Sequence, residues 1–511
     1  MTRFKRFILN GLLITAVSLL MRSISVSFNV YLSNTIGAVA MGVFTLVSTV
    51  YGFALTVATS GIGLAATRHI AEAAGENSAD GKKPSVGCII KKCVSYALFF
   101  SISSALLLYF LAPYIGKEIL CDERTVSSIK VLAISLPPIA LSSVYSGYFI
   151  AVRRVYKNAI VTVFGQGVKI FSCIGLITIL GASDVESACL SVVIGGTVAE
   201  LGSFALQYIL FLFEKRKDTR KKRSADMEKT ALKKVLGTAL PVAFSSYARS
   251  ALITIEHILI PRGLEKSGSS KDVSLAAYGT VHSMVFPLIL FPSALSGSFA
   301  GLLVPEVTES FAQNDTDRIH RIIYRVFFAA LTFAIGTAGI MMCFSYELSN
   351  TVYPTANAGK YILMIAPLIP VMYLDTSVDG ILKGLGEQVY CMGVNIVDAL
   401  LSVILVWLLL PKMGITGYIL TVYFTETVNA ALSIARLFTV TKVRPRIFQW
   451  VITPLISIIL SCSAARFMAS RITGEISGAL ELTGYITITT GIYLLIIYIT
   501  AVINKRKSNL S

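Results

Sequence analysis

The sequence predicts an all-α polytopic membrane protein with fourteen transmembrane helices, arranged as two pseudo-symmetric six-helix lobes plus two C-terminal helices. Three observations predict it. Of the 511 residues, 55% are hydrophobic and 14% charged, and the mean hydropathy is +0.73; soluble domains run at about 45–50% apolar and about 25% charged. Fourteen apolar segments are long enough to cross a hydrocarbon layer of about 30 Å. Finally, 45 Lys+Arg against 28 Asp+Glu give a net charge of +17, carried by basic residues that apolar runs keep apart. Such a pattern reports membrane topology, and it excludes soluble enzymes, secreted scaffolds and nucleic-acid partners.

In chain order the spans are 7–33, 40–66, 87–112, 127–150, 158–181, 185–213, 235–261, 274–304, 321–345, 360–382, 389–410, 414–438, 448–468 and 481–503. The first is too long for a signal-peptide core and has no cleavage site after it. With the N-terminus inside, 32 of the 45 basic residues fall on the cytoplasmic side and nine outside. Both termini are therefore expected in the cytoplasm, in a multi-pass membrane protein. The segment from Glu214 to Lys234 is the longest loop and carries ten basic residues near the chain midpoint. It reads as a topology determinant and lobe linker, with attraction to anionic lipid headgroups as a further role. The expected organisation is 1–213 for the N-terminal lobe, 214–234 for the linker, 235–446 for the C-terminal lobe and 447–511 for the last two helices.

The two lobes follow from an internal repeat. An offset of 227 superposes Arg22 on Arg249, Ser23 on Ser250 and Asn29 on Glu256. Near an offset of 233, GYFIAVRRVY from Gly147 lies over GILKGLGEQVY from Gly380, each closing one span and opening the next.

Charge inside a bilayer costs about 2.5–3.5 kcal/mol or more, so intramembrane polar residues mark either packing partners or a watered cavity. On the first span Thr15, Ser18, Arg22, Ser25, Asn29 and Ser33 form one helical stripe. Its counterpart on the seventh span is Ser246, Arg249 and Glu256. The stripes suggest a hydrated cavity between the lobes; the alternative is that both arginines pair with structural carboxylates. A planar guanidinium that never deprotonates suits phosphate or pyrophosphate and repels cationic drugs. Lys169, one turn after Gln166, either faces that cavity or snorkels, and Lys130 snorkels.

Glu256, Asp375, Asp379, Asn395 and Asp398 are candidates for Na⁺ ligation or protonation, although Asp379 and Lys383 also have the spacing of a local ion pair. Glu426 and Asn429 form a further polar pair, and the lone His257 and His282 read as packing residues. Prolines are expected to interrupt spans 4 (Pro137, Pro138), 7 (Pro241), 8 (Pro287, Pro292) and 10 (Pro367, Pro370). Gly61-Ile62-Gly63 reads as helix packing or a helix end. Eight scattered cysteines read as small packing residues, and no certain metal site is expected. No catalytic motif or loop large enough for a catalytic domain is found, so neither an enzyme nor a bound cofactor is expected. The expected partners are substrate and membrane lipids, with the chain a monomer.

Several stretches resemble the polysaccharide-export and stage V sporulation protein B group of the multidrug/oligosaccharidyl-lipid/polysaccharide (MOP) exporter superfamily. They are TVATSGIGLAATRHIAE from Thr56, SGYFIAVRRVYKNAIVTVFGQGVKI from Ser146, ALPVAFSSYARSALITIEHILIPRGLEKSG from Ala239, GTVHSMVFPLILFPSALSGSFAGLLVPEVTES from Gly279 and DGILKGLGEQ from Asp379. The resemblance covers essentially the whole chain. It implies a flippase that carries an undecaprenyl-pyrophosphate-linked oligosaccharide or peptidoglycan precursor by alternating access, driven by Na⁺, H⁺ or the membrane potential. In that family Arg22 and Arg68 match basic positions on helices 1 and 2, and Lys169 stands where an arginine is usual. Asn29 and Asn34 replace further arginines, Gly165 a glutamate and Ser146 an arginine, which thins the cationic lining. Two other readings stay open: a cation-coupled multidrug and toxin extrusion antiporter, and a non-transporting scaffold for envelope-building enzymes.

Overall fold

A computed structural model describes residues 3–75, 86–181, 184–214, 225–313, 315–354, 357–472 and 478–508. Among them every regular element is a helix, as expected for backbone that must satisfy its own hydrogen bonds in lipid. Eleven helical runs are long and apolar enough to cross a membrane. The first, Leu20–Ala73, covers two of the segments read from the sequence, while Ala225–Lys266 and Ile415–Thr441 are not among the eleven. The described residues form two compact units, 1–28 with 39–262, and 29–38 with 263–511.

The first unit takes most of its helices from α1 (Arg3–Thr59), α2 (Ile62–Gly75), α3 (Val86–Tyr114), α4 (Val126–Ala151), α5 (Tyr156–Leu180), α6 (Val185–Glu214) and α7 (Ala225–Lys266). Helix α1 is two helices joined at Gly37, whose φ of 78° only glycine adopts without strain. A second break, at Ser60 and Gly61, separates α1 from α2. A Cβ on Gly61 would sit 2.8 Å from the Ala239 carbonyl oxygen, so the glycine is what lets α7 approach. Gly147 likewise lies against Ala66 and the Gly63 carbonyl, the close small-residue packing of membrane helices. Ile62, Ala65, Cys93, Tyr96, Phe149 and Val235 are buried together at this junction.

The second unit contains α8 (Lys271–Gly279), a π-helical turn Thr280–Val285, α9 (Phe286–Leu290), α10 (Ser293–Ala312) and α11 (Thr316–Cys343). Next come α12 (Ser345–Val352), α13 (Gly359–Ile365), α14 (Ile369–Gly384), α15 (Gln388–Met413), α16 (Ile415–Thr441), α17 (Thr453–Ile472) and α18 (Ala479–Ser508). Its core centres on α11, where Phe327 stacks near Trp450 and Gly336 admits Tyr493.

The prolines divide by position. Pro287 lies in the first turn of α9, just after the π-helical turn, Pro292 lies between α9 and α10, and Pro367 and Pro370 lie in and after a 3₁₀ turn at Ala366–Leu368, so the expected interruptions are present there. Helices α4 and α7 instead run unbroken through Pro137, Pro138 and Pro241. A single lost ladder bond is tolerated when packing on both sides holds the helix.

Each unit carries an ion pair that ties a helix connection to the end of a later helix. In the first unit Arg154 and Lys157, after α4, pair with Glu214 at the end of α6. In the second, Glu387, after α14, accepts a fork from Arg436 near the end of α16, at 2.9 and 3.0 Å. Both tie a helix 4–5 loop to the close of helix 6, with the signs of charge exchanged.

Candidate functional site

The first unit holds Arg22, Arg68, Lys169, Arg249 and Glu256. Arg22, on the first half of α1, and Arg249, on α7, are both exposed. Helix α7 meets the second half of α1 through other residues. The hydroxyls of Thr56 and Ser250 lie 3.2 Å apart, Thr254 Oγ1 contacts the Thr49 carbonyl at 3.4 Å, and the hydroxyls of Ser60 and Tyr247 share a hydrogen bond. Arg249 is thereby presented on the open side of α7, with Ser246 one turn before it. Glu256 is half-buried further along. The side chains of Thr15, Ser18 and Ser245 lie outside the described residues.

Arg68 lies midway along α2 in an ionic cluster. Its Nε donates to Glu72 at 3.2 Å, and Glu72 also meets His69 Nδ1 at 3.1 Å and Lys234 at 3.8 Å. His69 Nε2 in turn shares a hydrogen bond with Thr238 Oγ1 at 2.8 Å, so the cluster joins α2 to α7. Lys169, half-buried on α5, interacts electrostatically with Glu200 on α6, as does Tyr51 of α1. The sequence reading did not single out Glu200, although a carboxylate inside an apolar span is the signal used for the other acids. The Lys130 ammonium lies 5.7 Å over the Tyr109 ring.

A cavity of about 560 Å³ opens among α1, α4, α5, α6 and α7. Thr56, Thr59, Thr162 and Ser246 line it, with Ser142, Ser143 and Ser146 on α4. Asn158 and Gln207 complete its polar wall, bonded to each other at 3.4 Å, and among the described residues no charged one lines it. This cavity was missed because its hydroxyls are spread singly over several helices and form no stripe on any one.

The second unit holds Asn29 and the acids of α14 and α15. The Asn29 amide donates to the Ser283 carbonyl in the π-helical turn, and Asn34 Nδ2 donates to the Val352 carbonyl at 2.9 Å. Both asparagines thus supply donors to backbone at helix irregularities. Asp379 and Lys383 form the expected local pair at 3.2 Å. Asp375 accepts from the buried Ser433 hydroxyl and interacts with Asp398, while its Oδ1 is buried with no hydrogen-bond partner among the described residues. Asn395 gives its amide to the Cys391 carbonyl at 2.7 Å. Asn429 is buried beside the half-buried Glu426 on α16, and His282 packs among Tyr278, Phe286 and Tyr418. Among the described residues the acids at issue are therefore Asp375, Asp379 and Asp398 in this unit and Glu256 and Glu200 in the other.

Apolar helices that carry isolated arginines and acids, with glycine-mediated packing and broken segments, define a polytopic membrane protein of the transporter class. The chain belongs to the polysaccharide biosynthesis protein family, whose model matches residues 8–293, and with it to the MOP superfamily. A MatE model matches residues 267–408. Stage V sporulation protein B of Bacillus subtilis (strain 168) is 24% identical over 508 residues, covering 98% of this chain and 96% of that protein. Among solved structures, the inward closed conformation of the lipid II flippase MurJ matches with a TM-score of 0.70 at 12% identity, over 96% of this chain and 98% of that one. The inward-facing conformation of a multidrug resistance MATE family transporter matches at 0.59 and 14% identity, over 83% and 96%. These likenesses establish the fold.

Proposed function

We propose that the protein is a flippase that moves an undecaprenyl-pyrophosphate-linked oligosaccharide or peptidoglycan precursor across a bacterial cytoplasmic membrane by alternating access. The observation that carries the reading is that Arg22 and Arg249, repeat-related and both set in apolar helices, belong to one unit and keep their side chains exposed. A buried structural arginine would be enclosed by its partners; an exposed one on a membrane helix is placed to meet a ligand. Guanidinium groups match the oxygen geometry of a pyrophosphate. Family membership and the relatives named above support the same substrate class. The reading includes fourteen transmembrane helices in two six-helix lobes, 1–213 and 235–446, followed by two more, with both termini cytoplasmic and the chain monomeric.

Arg22 and Arg249 are assigned to the substrate on their exposure and their guanidinium chemistry. Arg68 and Lys169 have carboxylate neighbours in Glu72 and Glu200, and Asn29 is bonded to backbone. Asp375, with its unpartnered buried oxygen, supports ion coupling through the α14–α15 acids. That feature also fits a cation-coupled drug antiporter, but arginines in place of acids at the presented positions favour an anionic cargo. Depletion of the protein tests the reading. Lipid-linked sugar is expected to accumulate on the inner leaflet, and an unchanged leaflet distribution would overturn it. Efflux of ethidium-like dyes dependent on a cation gradient would instead identify the antiporter.

A further inference from the structure

We propose that the hydroxyl-lined cavity of the first unit seats an uncharged sugar ring of the cargo, next to Arg249, which takes the adjoining phosphate; the proposal rests on the flippase reading. Four side chains of the wall have spent their protons. Thr56, Thr59, Thr162 and Ser246 each donate to the carbonyl four residues earlier, at 2.8, 2.9, 2.9 and 3.0 Å. Their lone pairs remain as acceptors, so the wall favours ligands with several hydrogen-bond donors. Donors come from Asn158, which has a second N–H besides the one given to the Ser146 carbonyl at 3.2 Å, and from the α4 serines.

A wall of this kind selects among the parts of a lipid-linked sugar. None of the described residues that line the cavity is charged, so a phosphate or uronate entering it would meet acceptors and no countercharge from them. A polyprenyl tail would leave the hydroxyls and amides dry and unpaired. A neutral ring edged with hydroxyl and acetamido groups satisfies both conditions, since each of its hydroxyls donates as well as accepts. The volume of about 560 Å³ lies within the about 300–1,000 Å³ of small-molecule sites.

The position of Arg249 joins this cavity to the proposed anion site. Ser246 is on the cavity wall and Arg249 follows three residues later on the same face of α7, a rise of about 4.5 Å. Sugar and phosphate are neighbours in the cargo, and their proposed receptors are neighbours on one helix. The other edge of the cavity reaches Gly61, where α1 breaks before α2.

The test uses the full chain in lipid nanodiscs, titrated with undecaprenyl diphosphate and with the same lipid bearing N-acetylglucosamine. Wild type is expected to bind the sugar-bearing lipid about tenfold or more tightly than the bare one, the worth of one or two net hydrogen bonds. The variant Thr59→Val/Thr162→Val/Ser246→Ala keeps the cavity's shape and removes three acceptors. It is expected to lose that preference while binding bare undecaprenyl diphosphate as wild type does. The single Thr162→Val, at an exposed position, gives a partial loss and guards against misfolding of the triple variant. Equal wild-type affinity for the two lipids, a preference retained by the triple variant, or equal loss of both lipids would each overturn the cavity assignment and leave the flippase reading standing. Failure of wild type to bind either lipid would overturn both.

Discussion

Arg436 grips Glu387 with both nitrogens of its fork, at 2.9 Å from Nη2 and 3.2 Å from Nε, and so ties the α14–α15 connection to the end of α16. The first unit makes the same tie with the charges exchanged, Arg154 and Lys157 on the connection and Glu214 on the closing helix. Because the pair is partly exposed, Arg436→Ala is expected to lower thermal stability only slightly. The reversed pair Glu387→Arg/Arg436→Glu should recover most of that loss in thermal unfolding. Failure of the reversed pair to recover would mean that Arg436 acts through its packing over Tyr390 instead.

Gly61 is expected to tolerate no side chain. Gly61→Ala combines a φ of +68° with a contact of 2.8 Å to the Ala239 carbonyl, and the cost should be about 1–3 kcal/mol. Gly175→Ala on α5, where a Cβ meets nothing within 4 Å, should be neutral or slightly stabilising. Melting curves of the two variants in the same detergent measure the contrast.

For Lys169 the question is whether it serves Glu200 or the cargo. Lys169→Met leaves a carboxylate in the membrane without its cationic neighbour and should lower both stability and transport. If Lys169 serves Glu200, the double variant Lys169→Met/Glu200→Gln regains transport. If it holds cargo, the double variant stays inactive. A double-mutant cycle on stability gives the coupling, expected at about 1–3 kcal/mol.

Asp375 is the acid whose removal should improve the fold and harm the function. Asp375→Asn replaces a buried, incompletely bonded carboxylate with a neutral isostere, which should raise stability by about 1 kcal/mol. The same change should abolish any dependence of transport on a Na⁺ or proton gradient. Lys383→Met, which breaks the exposed Asp379 pair and leaves the Asp375 carboxyl in place, should shift stability by about 0.5 kcal/mol or less and leave that dependence in place.

Much of this was readable from the chain because lipid imposes coarse rules. Apolar length placed the helices, and Gly37 falls between the two segments that α1 joins. Arg22 and Arg249 stood out because charge is expensive where they are. Other features depended on neighbours that a linear reading does not supply. Pro137 and Pro138 looked like interruptions but lie in an unbroken α4, whereas Pro287 and Pro367 sit at real irregularities. Asn29 falls on a polar stripe with Arg22, yet its amide is committed to the Ser283 carbonyl, a partner 254 residues away. The cavity hydroxyls are invisible for the same reason: each is an ordinary serine or threonine bonded back to its own helix, and only their convergence from several helices makes a site.

The central claim is that Arg22 and Arg249 carry a pyrophosphate-linked sugar across the bilayer. Proteoliposomes containing fluorescent undecaprenyl diphosphate N-acetylglucosamine, exposed to a membrane-impermeant reductant, test it most directly. Wild type should bring label from the inner leaflet to the reductant, Lys130→Ala should match it, and Arg22→Ala and Arg249→Ala should slow the exchange about 100-fold or more, the loss of two to three kcal/mol of charge-assisted bonding. Exchange no faster than in protein-free vesicles, or full activity in both arginine variants, would contradict the account.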